Sequence, residues 1–228
     1  MLKSKELRAK AWASLKGKYW TAFIVVIVLG ILVSFGTSMI SGAESMIGIV
    51  SAVDPSEMDS TATIGAAVIT AIAGVLCLVG FIISVFIGGA AEVGLVNYFI
   101  KNTDSKPAFA EAFSGFKSNY KRNTGAILLM GIKIALWSFV FVIPGIIKSF
   151  QYAMIPYILA DNAEITTKEA FKKSKEMMKG NKWRLFKLNF SFIGWILLCF
   201  LTFGIGVFFL MPYINAANAE FYVELKNK

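Results

Sequence analysis

The 228-residue chain has no histidine, two cysteines, five prolines and only 16% charged residues. Without histidine it lacks the commonest general base and metal ligand near neutral pH. Cys77 and Cys199 stand singly inside apolar runs, so no paired-thiol zinc spacing exists. A thiol in such surroundings acts as a small hydrophobe, and no disulfide is expected. A nucleophile elbow and a phosphate-cradling glycine loop are also missing. Catalysis by carboxylates alone is what remains, and the acidic residues in or near apolar runs are Glu92, Asp161, Glu164 and Glu220. The last three fall at helix ends, where water and neighbouring lysines solvate a carboxylate. The reading is a noncatalytic protein with no metal and no cofactor.

What fills the chain instead is apolar. Hydrophobic residues make up 57% and the mean hydropathy is +0.66, outside the soluble globular range. The expected fold class is all-α, a polytopic membrane helical bundle. A net charge of +9 would point to nucleic acid in a soluble domain. Here the lysines and arginines fall between apolar runs, so anionic lipid head groups are the expected partner and nucleic acid is not.

Two ungapped internal repeats suggest how the bundle is built. Met154–Glu164, MIPYILADNAE, reappears as Leu210–Glu220, LMPYINAANAE. Lys5, Glu6, Lys10, Leu15, Lys16, Gly17, Trp20 and Phe23 align with Lys168, Glu169, Lys173, Met178, Lys179, Gly180, Trp183 and Phe186. The pattern is one unit used three times: a basic amphipathic cytoplasmic helix followed by a membrane hairpin. Residues 1–228 then form a single membrane domain, with units at 1–100, 101–164 and 165–228.

Measured against the roughly 20 residues needed to cross hydrocarbon, the apolar runs predict six transmembrane helices as three hairpins. The spans fall at about Trp20–Gly36, Ile64–Ile87, Thr124–Ile143, Ile146–Ala160, Leu188–Leu201 and Val207–Tyr222. A cleaved signal peptide competes for the first, against a long basic lead and no clear cleavage site. Between the first two spans, Thr37–Thr63 reads as an outer loop containing Glu44, Asp54, Glu57 and Asp59 and no lysine or arginine. Its DPSEMD stretch matches no established calcium loop. Ala66, Thr70 and Gly74 repeat every four residues, which suits close packing inside the chain or a homo-oligomer face alike. Gly88 and Gly89 suit a bend, and Pro144 with Gly145 suits the second outer turn.

Smaller signals fill the gaps. Ser4 reads as the cap of the first basic helix, and Thr166 with Glu169 has capping-box spacing. Phe109, Phe113 and Phe116 recur as in a helix lying flat in the interface.

Charge tests this layout independently. Of 23 basic residues, six precede the first span, five lie between Lys101 and Arg122, eight between Lys168 and Lys187, and two at the C-terminus. Only Lys133 and Lys148 remain. By the positive-inside rule both termini are expected to be cytoplasmic.

At IPGIIKSFQYAMIPYILADN, EAFKKSKEMMKGNKWRLF and LNFSFIGWILLCFLTFGIGVFFLMPY the chain resembles a family of bacterial six-span membrane proteins catalogued as domain of unknown function 975. The EAFKKSKEMMKGNKWRLF pattern is also loosely similar to the membrane domain that accompanies some glycerophosphodiester phosphodiesterases. That domain is not the catalytic one. What the resemblances imply is a fold and a location; the family brings no settled activity.

Three sets of residues are then candidates for function. Glu92 and Lys133 stand at similar depths, about 13 Å above Lys101 and about 15 Å above Asn123. They either meet in an intramembrane ion pair or snorkel separately to the interface. Lys168, Lys172, Lys173, Lys175, Lys179, Lys182 and Arg184 are placed to meet lipid head groups. Pro156 and Pro212 occupy matched places where a helix kinks. The ion pair and kinks suit a small transporter or channel component; the basic helices suit a noncatalytic protein that binds lipid or a protein partner.

Overall fold

The computed structural model describes residues 2–54, 56, 58–117 and 119–228. No strand occurs among them, and 85% of the chain is helical, so the backbone is satisfied within helices as lipid demands. By length and composition alone, five helical stretches suffice to cross a membrane: Tyr19–Ser51, Ser60–Asp104, Tyr120–Val140, Val142–Asp161 and Lys182–Leu201. The chain divides into two compact units, Gly30–Gly88 and Met1–Leu29 with Gly89–Lys228.

In the smaller unit, the portions of α2 (Tyr19–Ser51) and α3 (Ser60–Asp104) between Gly30 and Gly88 form a hairpin. Gly36 and Gly80 put the two backbones in contact: a Cβ on Gly80 would stand 2.7 Å from the Gly36 carbonyl oxygen. Cys77 reaches the Ile40 carbonyl across the same seam. A Cβ on Gly74, in the small-residue stripe, would meet open space. The segment expected to be a long outer loop is also mostly helix among its described residues. Ser38, Ser41 and Ser45 donate to the carbonyls of Ser34, Thr37 and Ser41, which lets polar residues continue a helix. Glu44 therefore lies within α2, while the Asp59 carboxylate accepts the Ala62 amide at the start of α3. Pro55 and Glu57 of DPSEMD lie outside the described residues. Helix α3 runs unbroken through Gly88 and Gly89.

The larger unit opens with α1 (Ser4–Leu15), which buries Leu7, Ala11 and Leu15. Lys3, one residue before the expected cap, precedes its first turn and gives its amide to Glu6. After α3, a 3-10 turn (Phe109–Phe113) and α4 (Ser114–Lys117) lie against that helix. The close approach is between glycines: a Cβ on Gly94 would strike the Ala112 carbonyl, and one on Gly115 the Ala90 carbonyl.

Helix α5 (Tyr120–Val140) turns straight into α6 (Val142–Tyr152) through Phe141. The turn was expected at Pro144 and Gly145, but proline is tolerated in a first helical turn and here stands inside α6. Gly145 packs directly on Ser138. The run then breaks at Ala153 and Met154, and α7 (Ile155–Asp161) has Pro156 as its second residue. Its matched proline, Pro212, sits within the continuous α11 (Ile205–Lys226). Between them run α8 (Thr167–Met177), α9 (Lys182–Phe190) and α10 (Ile193–Leu201), with a turn at Thr202–Gly204 leading to α11.

Matched positions of the basic repeat behave alike. Gly17 and Gly180 both have φ 78°, the left-handed region that favours glycine. Leu15 and Met178 are buried just before them, and Trp20 and Trp183 are exposed just after. The other repeat diverges. Asn162 ends α7 and accepts the Glu164 amide, whereas Asn218 continues a helix. The residues next in the chain make the difference: Thr166 caps α8 after one copy, and FYVELK prolongs the helix after the other.

Candidate functional site

Where α3, α4, α5 and α7 converge, a polar cleft of about 280 Å³ is lined by Asn97, Lys101, Glu111, Ser114, Asn123 and Asp161 among others. The Lys101 ammonium lies 2.8 Å from Glu111. Asn97 donates to the Ser114 hydroxyl at 2.8 Å and to the Glu111 carboxylate at 3.3 Å. The Lys101 hydrogen bond, more than its charge, holds the Glu111 carboxyl below its ordinary range.

Beside the cleft, the Arg122 guanidinium donates to the carbonyls of Leu159, Asn162, Ala163 and Ile165. These include groups left without partners where α7 ends, and a cation is the favoured partner there. Asp161 accepts from the Tyr222 hydroxyl at 3.0 Å and from Lys226 at 2.7 Å. Each charged group lining the cleft is thus already engaged, and the arrangement joins helices rather than exposing a nucleophile or base.

The basic positions separate into two kinds. Helix α8 starts with the expected capping box, Thr166 hydroxyl to Glu169 amide and Glu169 carboxylate to Thr166 amide. Those hydrogen bonds lower the Glu169 carboxyl. The helix buries Ala170, Phe171 and Ser174 and leaves Lys168, Lys172, Lys173 and Lys175 exposed, as is Lys179 just beyond it. Lys182 is half-buried. Arg184, grouped with them from sequence, is committed inside the fold. It lies 2.8 Å from Glu224 and also donates to the Leu2 carbonyl at 2.9 Å. Sequence alone offered no signal that the C-terminal Glu224 would claim it.

The expected ion pair does not form. Among the described residues the ion pairs are Lys101–Glu111, Arg184–Glu224 and Lys226–Asp161. Lys133 instead places its ammonium 4.0 Å over the Phe171 ring of α8, an attraction to the ring face. Glu92 lies within electrostatic reach of Tyr157 on α7. Similar depth put the two at one level, but helix rotation turns them toward different neighbours.

Residues 1–148 and 140–228 match a family model described as a protein of unknown function (DUF975). The chain belongs to that family. No curated protein and no solved structure matches it. The looser likeness to the phosphodiesterase membrane domain rests on its sequence pattern alone. The family supplies no residue roles, so side-chain geometry has to carry any assignment.

One further space stands out. An apolar groove of about 490 Å³ is lined by Trp12, Tyr19, Trp195, Phe209 and Tyr213 among others. The Tyr19 hydroxyl donates to the Phe209 carbonyl there, beside the Phe208 carbonyl that Pro212, lacking an amide, leaves without its helical partner. Nothing in the sequence paired Trp12 with Tyr213.

Proposed function

We propose that the chain is a noncatalytic integral membrane protein of the bacterial cytoplasmic membrane that binds anionic lipid head groups through its basic helices. Both termini lie on the cytoplasmic side, and residues 1–228 act as one membrane domain in which each hairpin is rooted by a basic amphipathic helix. Six spans result if every hairpin crosses completely. The observation that carries this reading is α8: its apolar face is occupied by the bundle while Lys172, Lys173 and Lys175 are left outside. Exposed Trp183 and Trp20, at matched places beyond the two basic helices, suit the head-group level. A protein partner or a second copy of the chain is a further occupant of the same surface. The transport reading loses its main support with the Glu92–Lys133 pair.

The test is titration of the full-length protein in zwitterionic micelles with phosphatidylglycerol or phosphatidylcholine, read by tryptophan fluorescence. Each lysine contributes on the order of 1 kcal/mol near an anionic surface. Neutralising Lys172, Lys173 and Lys175 together is therefore expected to weaken phosphatidylglycerol binding by roughly 100-fold. Equal binding of both lipids, or solute flux in proteoliposomes that disappears with Glu92→Gln, would favour the transporter instead.

A further inference from the structure

Length and composition give Tyr120–Val140, Val142–Asp161 and Lys182–Leu201 the capacity to cross a bilayer. Packing takes it away. Helix α8 lies along the same helices rather than beneath them. The Ser174 hydroxyl donates to the Gln151 carbonyl at 2.9 Å, Phe171 meets Tyr152 edge-on at 5.1 Å, and Lys133 stands over Phe171. Lys172, Lys173 and Lys175 on its outer side keep α8 out of hydrocarbon, where charge is costly and rare. Gln151, Tyr152 and Lys133 must then lie outside it too, and so must α7, whose residues Ile155–Leu159 are all buried in the bundle.

What remains beyond that level is a short apolar tip. From Lys133 to the apex at Phe141 is about 12 Å of helix, and from Lys148 on the returning leg about 10 Å, at 1.5 Å per residue. Lys133 rests on Phe171 of α8, at the base of the hairpin, while Lys148 rests on Trp137, four residues before the apex. The hydrocarbon core is about 30 Å thick, and these legs are shorter than half of it.

The second hairpin repeats the geometry. On α1, which carries exposed Lys3, Lys5 and Lys10, Arg8 donates to the Ser191 carbonyl at 3.2 Å, and Trp12 packs on Tyr213 at 5.9 Å. From Ser191 and Tyr213 to the apex at Phe203 is about 15–18 Å, close to one leaflet. Phe203 is 98% exposed and Phe139, next to the first apex, 93%, so the fold leaves both tips bare.

We infer that the α5–α6 and α10–α11 hairpins enter only the leaflet facing the basic helices and return without crossing. The partner of both tips is the acyl chains of that leaflet, and their volume is added to one side of the bilayer. Helices α2, of 33 residues, and α3, of 45, are each long enough to cross outright. Six crossings then become two. The inference rests on the proposed membrane setting and deepens it.

The test uses the full-length protein in sealed proteoliposomes, with Cys77 and Cys199 replaced by serine and one cysteine added at a time. Ser56→Cys and Lys175→Cys are expected to react with a membrane-impermeant maleimide from opposite sides; reaction from the same side would defeat the membrane setting itself. With those controls in place, Phe141→Cys and Phe203→Cys are expected to stay unreactive from either side, and to react after detergent is added. Val142→Cys and Leu201→Cys provide a second pair should an apex variant not fold. Labelling of either apex from the side of Ser56 would overturn the inference.

Discussion

Arg184, at the start of α9, closes on Glu224, near the end of α11, through both carboxylate oxygens at 2.9 and 2.8 Å. The same guanidinium holds the Leu2 carbonyl, and Glu224 accepts the Leu2 amide at 3.0 Å. Two residues thereby fasten both ends of the chain to the third basic unit, and the guanidinium also lies over Phe221.

Removing one partner strands the other in a largely buried position. Arg184→Met is expected to destabilise the protein by about 1.5–3 kcal/mol, the range for hydrogen bonds to charged groups. Lys226→Met, which breaks the more exposed pair with Asp161, is expected to cost no more than about 1 kcal/mol. Denaturant unfolding in mixed micelles checks both. In a double-mutant cycle, Arg184→Met with Glu224→Gln is expected to cost less than the sum of the single changes.

The glycines make a sharper contrast. Gly94→Ala and Gly115→Ala each drive a methyl into backbone that cannot move aside, and each is expected to cost about 1–3 kcal/mol. Gly125→Ala and Gly131→Ala, in the same unit but facing open space, are expected to stabilise α5 by about 0.5–1 kcal/mol. Thermal unfolding of the four variants should split them into two groups, and equal effects would contradict the close approach of α3 to α4.

Acid sensitivity follows from Glu111. Its carboxyl is lowered in the fold, chiefly by the Lys101 hydrogen bond. The stabilisation it brings is therefore complete above the unfolded carboxylate value of about 4.3. It is lost as pH falls through the lower folded value. Lys101→Met is expected to flatten the loss of stability below about pH 4, and an unchanged acid limb in melting experiments would show that Glu111 titrates normally.

Several elements were legible because their causes are local. The Thr166–Glu169 capping box depends on residues one turn apart, and the likeness of Gly17 and Gly180, matched in the repeat, on their immediate neighbours. Where a cause lies far along the chain, the reading failed. Arg184 looked like its neighbouring lysines until Glu224 claimed it. From sequence, Glu92 and Lys133 either pair or snorkel apart, because depth along two helices can be counted, whereas rotation about their axes cannot. Thr37–Ser51 looked like part of a loop for its acidic residue and its lack of lysine and arginine, although three of its serines return their hydroxyls to carbonyls of their own helix.

Composition, periodicity and the placement of 23 basic residues determined by themselves that this is a helical chain suited to a membrane, built around repeated basic segments. Those properties are sums over residues and their near neighbours. How much of each apolar run is left for lipid was decided only by tertiary structure. Ile155–Leu159 are as apolar as a span requires, yet they are spent on the bundle, because α8 returns along them and brings its lysines to the same depth. Burial against a distant helix and burial in a bilayer satisfy the same hydrophobic residues, and only the packed fold distinguishes them.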